Sequence, residues 1–459
     1  MNLNKNKYDV VAIGSGPGGF TAAVRAVQLG AKKVAIVEKS LIGGTCLNCG
    51  CLPTKFLWQA LKLRQKIQKS YKYGFKVDFK PVVFSDIFLK KDKNIANLRK
   101  GMKMILSSYN VDVIEGVASF KDKNNLMVSD DKGDNVLEIF ANSIIVATGT
   151  SSSVVKGFAF DGNKIINSTD ILNLKKIPKN MLVIGGGAIG IEMATIFSGF
   201  GCRITLVENK GCLLPNEDRE ISEEIKKNLI KQGVNVLVSC SDMLNNIDEY
   251  EKILIVTGRM PNNDLNFRKI GIKTNTKGFV KTNEFCQTSV SNIYAVGDIA
   301  GKSLLAYTAQ SEGAIAAENT VKMNSASIND FVIPQVVFSM PQSSSVKVSN
   351  FLEYRDVIYG KFPFTASGRA FIENEREGFV KCAVDRSNKK PLAFWIVGAH
   401  SDELINTASQ IIKSDIYHMS RESVFHPSFS ESLFNAYEDA FDKCVELAKK
   451  KKNSIRTRF

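Results

Sequence analysis

The chain opens with a short apolar run, then a glycine-rich turn, and then a longer segment with helical spacing. The run Val10 to Ile13 is continuous and β-branched, which is typical of a strand buried in a parallel sheet. Thr21 to Leu29 predicts a helix, and Val34 to Val37 predicts a second strand that ends at Glu38. This order of strand, turn, helix and strand indicates a βαβ unit.

The same order recurs about 170 residues later, where a second apolar strand leads into glycines, a helix and a strand ending at Glu208. After about residue 330 the pattern changes to consecutive strands in PQVVFSM, GFVKCAVD and PLAFWIVGA. Helices are predicted from Asp402 and from Ser430. We therefore predict an α/β fold with two Rossmann-like dinucleotide-binding domains and a C-terminal α+β domain.

Both turns carry glycines at G-x-G-x-x-G spacing, which lets a backbone approach a pyrophosphate at a helix N-terminus. Glycine turns also occur for packing reasons alone, but here a strand precedes and a carboxylate follows about 20 residues on. Glu38 and Glu208 can accept hydrogen bonds from a ribose, and a carboxylate at Glu208 would repel a 2′-phosphate, which favours NAD over NADP. The glycines are Gly14, Gly16 and Gly19 in the first turn and Gly185, Gly187 and Gly190 in the second.

Three of the nine cysteines cluster in GGTCLNCGCLPTK, residues 43–55. In a regular helix, Cys46 and Cys49 have Cα atoms about 5 Å apart, within the range that a disulfide needs. Cys46 and Cys51 would lie about 8.6 Å apart, so they pair only if the segment bends. Gly50 and Pro53 permit such a bend. Spacing alone favours the nearer pair and leaves the choice open.

A zinc site is the other reading of the cysteine cluster, but it needs further His or Cys ligands in a matching pair. The histidines, His400, His418 and His426, are not beside a second C-x-x-C. We therefore predict no metal site.

His426 and Glu431 lie five residues apart, and a histidine that is hydrogen-bonded to a carboxylate can act as the general base for a thiol.

Composition changes this picture little. The 459 residues are 44% hydrophobic and 23% charged, and the net charge is +15. Lys and Arg are spread along the chain except at the tail, Lys449 to Lys452 with Arg456 and Arg458, which suits an acidic partner. No zinc-finger or RNA-binding pattern and no run of about 18 apolar residues is present, so we predict neither nucleic-acid binding nor a membrane span. The early first strand leaves no room for a leader peptide, which predicts a cytoplasmic enzyme.

Seven ordered motifs resemble those of the pyridine nucleotide–disulfide oxidoreductases, and most closely the dihydrolipoamide dehydrogenases. They are GSGPGG, GGTCLNCGCLPTK, VATGT, VIGGGAIGIE, VTGRMPN, YAVGDIAG and FHPSFSE, and they run nearly from end to end. The resemblance implies FAD and NAD as cofactors and a C-terminal dimerisation domain. The predicted boundaries are 1–150 for the first part of the FAD domain, 151–265 for a shortened NAD domain, 266–330 for the central FAD part and 331–459 for the interface domain.

The resemblance also implies the catalytic residues. Cys46 and Cys51 match the redox disulfide, with Cys46 meeting the dithiol substrate and Cys51 lying against the flavin. Cys49 stands where the family usually has an aliphatic residue. Lys55 matches the lysine near the flavin ring, which pairs with the glutamate that matches Glu192.

Other matches imply cofactor and subunit contacts. Asp298 matches the aspartate that holds the flavin ribityl chain, and Leu305 and Ala306 open a helix whose N-terminus faces the flavin. His426 and Glu431 match an acid–base dyad that reaches the cysteines of the other subunit, which implies a homodimer. The remaining cofactor-binding matches are Thr45, Ala118, Thr148, Gly149 and Gly258.

The implied reaction is oxidation of dihydrolipoamide to lipoamide with NAD⁺, and the implied partners are the lipoyl domains and E2 core of 2-oxo acid dehydrogenase or glycine cleavage complexes. The chain departs from the family pattern where Cys240 to Glu251 replaces a β-meander and where PQSSSVKVSNFLEYRDVIYGKFPF is short of a helix. Tyr307 and Val424 each replace a common histidine. The alternatives are another disulfide reductase of the glutathione type, or a flavoprotein scaffold of low activity.

Overall fold

The structure is a computed structural model that describes residues 6–78, 82–130, 133, 136–240, 247–329, 331–414, 419 and 423–448. His418, the basic tail and residues 241–246 of the shortened connection lie outside the described residues. The chain divides into two compact units. The first comprises Met1–Ala60, Pro81–Lys176 and Leu254–Asp330, and the second comprises Leu61–Lys80, Ile177–Ile253 and Phe331–Phe459. The four predicted domain boundaries stay a prediction.

Strands and helices alternate through most of the described chain. The strands are β1 (Lys7–Ile13), β2 (Val34–Glu38), β3 (Asp112–Glu115), β4 (Val117–Phe120), β5 (Asn125–Ser129), β6 (Val136–Val146), β7 (Thr150–Ser152), β8 (Ile165–Ile166), β9 (Asn180–Ile184), β10 (Arg203–Glu208), β11 (Asn235–Val238), β12 (Lys252–Ile255), β13 (Arg259–Pro261), β14 (Ile293–Ala295), β15 (Gln335–Val337), β16 (Ser343–Lys347), β17 (Val357–Pro363), β18 (Phe379–Asp385) and β19 (Pro391–Val397). The helices are α1 (Pro17–Gln28), α2 (Gly44–Cys49), α3 (Cys51–Gln68), α4 (Phe84–Ser108), α5 (Ala188–Gly199), α6 (Arg219–Lys231), α7 (Phe267–Ile270), α8 (Ala306–Val321), α9 (Gly368–Ile372), α10 (Ser401–Lys413) and α11 (Glu431–Asp439).

The first unit is built on a sheet with strand order β3-β2-β1-β6-β5-β4, and β14 also pairs with β6. β1, β2, β3, β6 and β14 pair in parallel, whereas β4 and β5 pair antiparallel. All five residues of β2 are buried, as expected for a central parallel strand. The sheet therefore brings the carboxyl ends of β1, β2 and β6 together around the first glycine turn.

Helix α1 begins four residues before the predicted start at Thr21. Pro17 occupies the first helical turn, where a missing amide donor costs nothing, and Gly16 is the N-cap. The helix packs closely on α8, because a Cβ on Gly313 would lie 2.3 Å from the carbonyl oxygen of Gly18. Two facing glycines thus set the distance between these helices.

The second unit contains a sheet of order β11-β10-β9-β12, in which β9, β10 and β11 are parallel, and an antiparallel sheet of order β15-β16-β19-β18-β17. The predicted fold class, α/β with an α+β C-terminal part, is confirmed. Between β16 and β17 the chain forms a single 3₁₀ turn, Phe351–Glu353. In the described stretch from 247 to 251, which precedes β12, no strand occurs. Among the described residues, no helix is both long and apolar enough to cross a membrane.

Helix α6 joins the two sheets of the second unit through charged residues. Lys381 on β18 lies 2.9 Å from Asp218 and 3.3 Å from Glu220 at the start of α6. Its ammonium group also lies 5.3 Å from the centre of the Trp395 ring. Residues 177–253, which contain the second glycine turn, and the C-terminal sheet therefore lie in one compact unit.

Candidate functional site

The first glycine turn, between β1 and α1, is too tight for any side chain at two of its three glycines. Gly14 has φ +102°, and a Cβ there would lie 2.5 Å from the oxygen of Ala147. A Cβ on Gly19 would lie 1.9 Å from the oxygen of Gly14. A Cβ on Gly16, the N-cap of α1, would meet nothing within 4 Å. This open space at a helix N-terminus fits a pyrophosphate group.

Glu38 lies at the end of β2, beside the first turn, and its side chain is buried. Its Oε2 accepts hydrogen bonds from the amide and the hydroxyl of Ser15, at 2.8 and 2.6 Å, and Oε1 accepts one from the Ser40 amide at 2.9 Å. Oε2 thus already accepts two hydrogen bonds, whereas Oε1 accepts one, so a ribose hydroxyl can still donate to Oε1. Ser15 is a residue that the sequence reasoning missed, although it lies inside GSGPGG.

The second turn, between β9 and α5, repeats this geometry. Gly185 has φ +120°, and a Cβ on Gly187 would meet nothing within 4 Å. Glu208 is buried and accepts hydrogen bonds from the amides of Gly186, at 2.7 Å, and Lys210, at 2.9 Å. Gly190 is buried inside α5. The turn fits a second dinucleotide, and Gly186 is a further residue that the spacing argument overlooked.

Cys46 and Cys51 come together because the helix breaks between them. Gly50 separates α2 from α3 with φ −145° and ψ −112°, and a Cβ on it would lie 2.9 Å from the oxygen of Thr45. The side chain of Cys46 is hydrogen-bonded to Cys51, and this bond together with burial holds the pKa of the Cys46 thiol well above its usual range. This geometry therefore disfavours ionisation of the Cys46 thiol.

Asn48 fastens the loop that carries Cys46. Its Nδ2 donates to the main-chain oxygens of Ile42 at 3.0 Å and Gly44 at 2.9 Å. Its Oδ1 accepts a hydrogen bond from Arg99 Nε on α4 at 2.9 Å. Asn48 therefore locks the short helix α2, and the only signal for it in the sequence is its place between Cys46 and Cys49.

Two further side chains act on the cysteine pair. The positive charge of Lys55, one turn into α3, lowers the pKa of Cys46 and so opposes the effect of Cys51. Tyr307, in the first turn of α8, has a pKa raised to about 12 by burial and by the charge of Cys51. Tyr307 thus lies near Cys51 at the N-terminus of the helix that Leu305 caps and Ala306 begins.

Three of the remaining predicted cofactor residues of the first unit, Thr148, Gly149 and Asp298, lie just after the ends of strands. Thr148 and Gly149 follow β6 and are held by Asn262, which exchanges hydrogen bonds of 2.8 Å with Thr148 and donates its amide to Gly149 at 3.0 Å. Asp298 lies in the 3₁₀ turn after β14 and accepts a hydrogen bond from Thr150. The other three are Ala118, buried on β4, and Thr45 and Gly258, both exposed.

His426 and Glu431 form a hydrogen-bonded pair in the second unit. His426 Nδ1 lies 2.8 Å from Glu431 Oε1, and the amide of Ser428 donates to Oε2 at 2.7 Å. Glu431 raises the pKa of His426 through this hydrogen bond and through its charge. The imidazole is exposed, which leaves Nε2 accessible from outside the subunit.

Glu192 lies in the middle of α5 and is buried, and it accepts a hydrogen bond from the Phe338 amide at 3.2 Å. Its predicted partner Lys55 belongs to the first unit, and the pairing of the two stays a prediction.

Among the described residues, no group of three or more His, Cys, Asp or Glu side chains is arranged to hold a metal ion.

The comparisons with known proteins agree on one family. Residues 8–313 match the model described as pyridine nucleotide-disulphide oxidoreductase, and residues 333–437 match the dimerisation domain of the same family. A protein named dihydrolipoyl dehydrogenase from Geobacillus stearothermophilus is 33% identical over 473 residues, with coverage of 96% of this chain and 98% of the relative. A protein of the same name from Bacillus subtilis (strain 168) is 34% identical over 469 residues, with the same coverage.

A solved structure gives the same result. The Cu(II) complex of the HOCl-induced flavoprotein disulfide reductase RclA from Escherichia coli superposes with a TM-score of 0.83 at 28% identity and covers 94% of this chain and 99% of that one. The matched dimerisation domain supports a homodimer. With both glycine turns, the paired cysteines and the exposed His426 dyad in place, the chain belongs to the pyridine nucleotide-disulphide oxidoreductase family.

Proposed function

We propose that this enzyme oxidises dihydrolipoamide to lipoamide with NAD⁺ as the acceptor. FAD and NAD(H) are the cofactors of its family. The observation that carries the proposal is the contact of Cys46 in α2 with Cys51 at the start of α3, across the helix break at Gly50. The names of relatives about one-third identical over nearly the whole chain give the substrate.

The cysteines carry out the exchange with the dithiol. A substrate thiolate attacks Cys46 Sγ of the Cys46–Cys51 disulfide, a new S–S bond forms, and Cys51 leaves as a thiolate. The second substrate thiolate then attacks the substrate sulfur of this mixed disulfide. The products are lipoamide and the reduced cysteine pair, and two electrons have moved from the substrate to the enzyme. Lys55 stabilises the negative charge that this step leaves on the pair.

His426 accepts the proton of the first attacking thiol, and the proton of the second thiol ends on Cys46 as its sulfur leaves the mixed disulfide. Glu431 orients the ring through Nδ1 and favours the charged form, so the accepting nitrogen is Nε2. In a homodimer, the exposed His426 of one subunit reaches the cysteines of its partner. Within the protein, Glu38 with the first turn would hold FAD, Glu208 with the second turn would hold NAD, and Asp298 would hold the ribityl chain. When bound, FAD would supply the two-electron redox chemistry that links the cysteine pair to NAD⁺.

The partners follow from the substrate. The lipoyl domains and E2 core of a 2-oxo acid dehydrogenase or glycine cleavage complex would deliver the dihydrolipoyl group to the dimer, in the cytoplasm. A glutathione-type reductase is the second candidate, but the buried carboxylate of Glu208 beside the second turn disfavours a 2′-phosphate.

Anaerobic spectroscopy of the purified enzyme tests this function. Dihydrolipoamide should produce a long-wavelength charge-transfer band, and NAD⁺ should then restore the oxidised flavin spectrum. Reduction by NADPH with turnover of glutathione disulfide, and no response to dihydrolipoamide, would show that the substrate is wrong.

Three cysteine variants test the pairing. Cys46→Ser and Cys51→Ser should abolish dithiol turnover, because each removes one sulfur of the exchange. Cys49→Val is the matched control in the same helical turn, and it should leave turnover within a few-fold of the unchanged enzyme. An inactive Cys49→Val variant with normal flavin content would mean that the working pair is a different one.

A further inference from the structure

Two residues hold the side chain of Asp298 in place, Thr150 and Arg259. The Thr150 hydroxyl donates to Asp298 Oδ2 at 2.7 Å. Arg259 Nε donates to the same hydroxyl at 2.6 Å, and its Nη2 donates to the main-chain oxygen of Thr150, also at 2.6 Å. Arg259 Nε lies 3.8 Å from Asp298 Oδ2. The antiparallel pairing of β7 with β13 brings these two residues together.

The direction of the hydrogen bonds follows from the donors. A guanidinium group only donates, so the Thr150 oxygen accepts from Arg259 and must give its own hydrogen to Asp298. This arrangement commits Oδ2 of Asp298 to the protein. Within the part of the chain that the structure describes, Oδ1 of Asp298 has no hydrogen-bond partner, and a quarter of the side chain is exposed. Oδ1 is therefore oriented and available for a hydroxyl group from outside the protein.

The positive charge of Arg259 also matters, because two carboxyl groups, Asp298 and Glu312, lie nearby. Its side chain is 15% exposed, Thr150 is buried, and a further carboxyl, Glu312, is buried close by. Glu312 accepts a hydrogen bond of 2.6 Å from the amide of Gly297, the residue before Asp298. Burial and the charge of Asp298 raise the pKa of Glu312. Arg259 therefore places a positive charge 3.8 Å from Asp298, a partly buried carboxylate that lies near Glu312.

We propose that Arg259 is a positioning residue for the flavin, which acts through Thr150 to aim Oδ1 of Asp298 at a ribityl hydroxyl. The proposal rests on the proposed role of Asp298 in holding FAD. Arg259, in the TGRMPN segment, would thus act at the FAD site of the first unit. Its neighbour Gly258 was matched to a cofactor site only through the family resemblance. Arg259 does not itself touch the cofactor in this scheme.

A double-mutant cycle on the holoenzyme tests the proposal. The variants are Arg259→Met, Asp298→Ala and the double variant, and the readout is the FAD dissociation constant from flavin fluorescence in a dilution series. Arg259→Met should raise this constant about tenfold to a hundredfold, the range for losing hydrogen bonds to a charged group. Adding Arg259→Met to Asp298→Ala should raise it no further, because the target of the arginine is already gone.

Conservative variants separate positioning from general damage. Arg259→Lys should recover part of the affinity, and Thr150→Val should weaken FAD binding without adding to Arg259→Met. The control is Arg268→Met, an exposed arginine of the same unit, which should leave the dissociation constant unchanged. Far-UV circular dichroism shows whether each variant is folded, and Arg259→Lys and Thr150→Val keep the test open if Arg259→Met does not fold.

The outcomes separate the inference from the function on which it rests. Normal FAD affinity in Arg259→Met, or effects that multiply in the double variant, would overturn the inference while the enzyme remained a flavoprotein. Normal affinity in Asp298→Ala would overturn it as well. An unchanged enzyme that carries no flavin when purified and binds none when FAD is added would overturn the proposed function and the inference together.

Discussion

The two glycine turns share a backbone course, and one of the three positions at which GSGPGG and GGGAIG differ changes what each turn contacts. In both, the first glycine has a positive φ, +102° at Gly14 and +120° at Gly185, and the second is an N-cap with open space above it. In both, the carboxylate at the end of the next strand accepts a hydrogen bond from the amide after the first glycine. The residue that carries this amide is Ser15 in the first turn and Gly186 in the second.

That single residue connects the turns to different neighbours. The Ser15 hydroxyl donates to Glu38 at 2.6 Å and accepts a hydrogen bond from the Gly43 amide at 3.0 Å. It thereby ties the first turn to the loop that carries Cys46. Gly186 has no side chain because Leu213 fills the space, and its oxygen accepts a hydrogen bond from Leu214. The first turn is thus tied both to Glu38 and to the segment that carries Cys46, whereas the described contacts of Gly186 are with Glu208, Leu213 and Leu214.

The largest expected effect comes from the shared backbone of the first turn. Gly19→Ala would place a Cβ 1.9 Å from the oxygen of Gly14, a buried clash that no side-chain movement relieves. We expect the purified variant to carry no flavin and to unfold at a much lower temperature, measured by absorbance and by thermal melting. Gly101→Ala in α4 is the control, because its Cβ meets nothing and the helix should gain about 0.5–1 kcal/mol. Flavin content that is unchanged in Gly19→Ala would contradict this account of the turn.

A smaller effect is expected at the second turn. Gly186→Ala would place a Cβ 2.6 Å from Leu213 Cδ2 and 2.9 Å from Glu208 Cβ, which overpacks the site by about 1–3 kcal/mol. The KM for NAD⁺ should rise about tenfold to a hundredfold, while the bound flavin stays at its normal level. The flavin spectrum is the internal control, since the two turns are proposed to bind different cofactors. Loss of flavin together with a normal KM would reverse the assignment of the two turns.

A third change makes the first turn resemble the second. Ser15→Gly removes the hydrogen bonds to Glu38 and Gly43, and the free energy of unfolding should fall by about 1–3 kcal/mol. Reduction of the flavin by dihydrolipoamide should also slow, because the loop of Cys46 loses an anchor. Ser15→Ala separates the lost hydroxyl from added backbone freedom and should show most of the same effect. If Ser15→Ala is as stable as the unchanged enzyme, the hydroxyl does not connect the turn to the loop in the way proposed.

The smallest expected effect is a shift in pH dependence that originates in the second unit. Glu431 raises the pKa of His426, so protonated His426 is favoured up to a higher pH and the neutral base is lost earlier as the pH falls. Glu431→Gln should therefore move the acidic limb of kcat/KM for dihydrolipoamide to lower pH, although the rate itself falls as the ring loses its orienting partner. Stopped-flow measurements across that limb give the shift. An unmoved limb would mean that another group controls it.

Local patterns predicted much of the fold. The β-branched runs of β1 and β2, the acidic residues that end β2 and β10, and the antiparallel strands of the C-terminal part lie where the sequence placed them. Helix boundaries were less accurate, since α1 begins at Pro17 rather than Thr21. Boundaries depend on caps and first-turn residues that carry little hydrophobic signal.

The site residues divide in the same way. Gly14, Gly19 and Glu38 could be identified because their spacing alone places them on one turn and one strand end. Ser15, Asn48 and Arg259 could not, because each works through a partner far away in the sequence: Glu38, Arg99 and Thr150. Ser15 and Arg259 lie inside motifs that the sequence analysis recognised, but their roles could be inferred only from their hydrogen bonds in the structure.

By itself, the sequence determined that the chain alternates strands and helices around two glycine turns, because period, β-branching and glycine spacing are local properties. The spacing of the cysteines could not decide which one meets Cys46; the family resemblance implied Cys51, and the tertiary structure brings the two together. Helical spacing favoured Cys49, but the break at Gly50 brings Cys51 to it, held by Asn48 and by the contact of Gly44 with the first turn. The physical reason is that a pairing across a bend depends on the packing of the residues around it, which come from other parts of the chain.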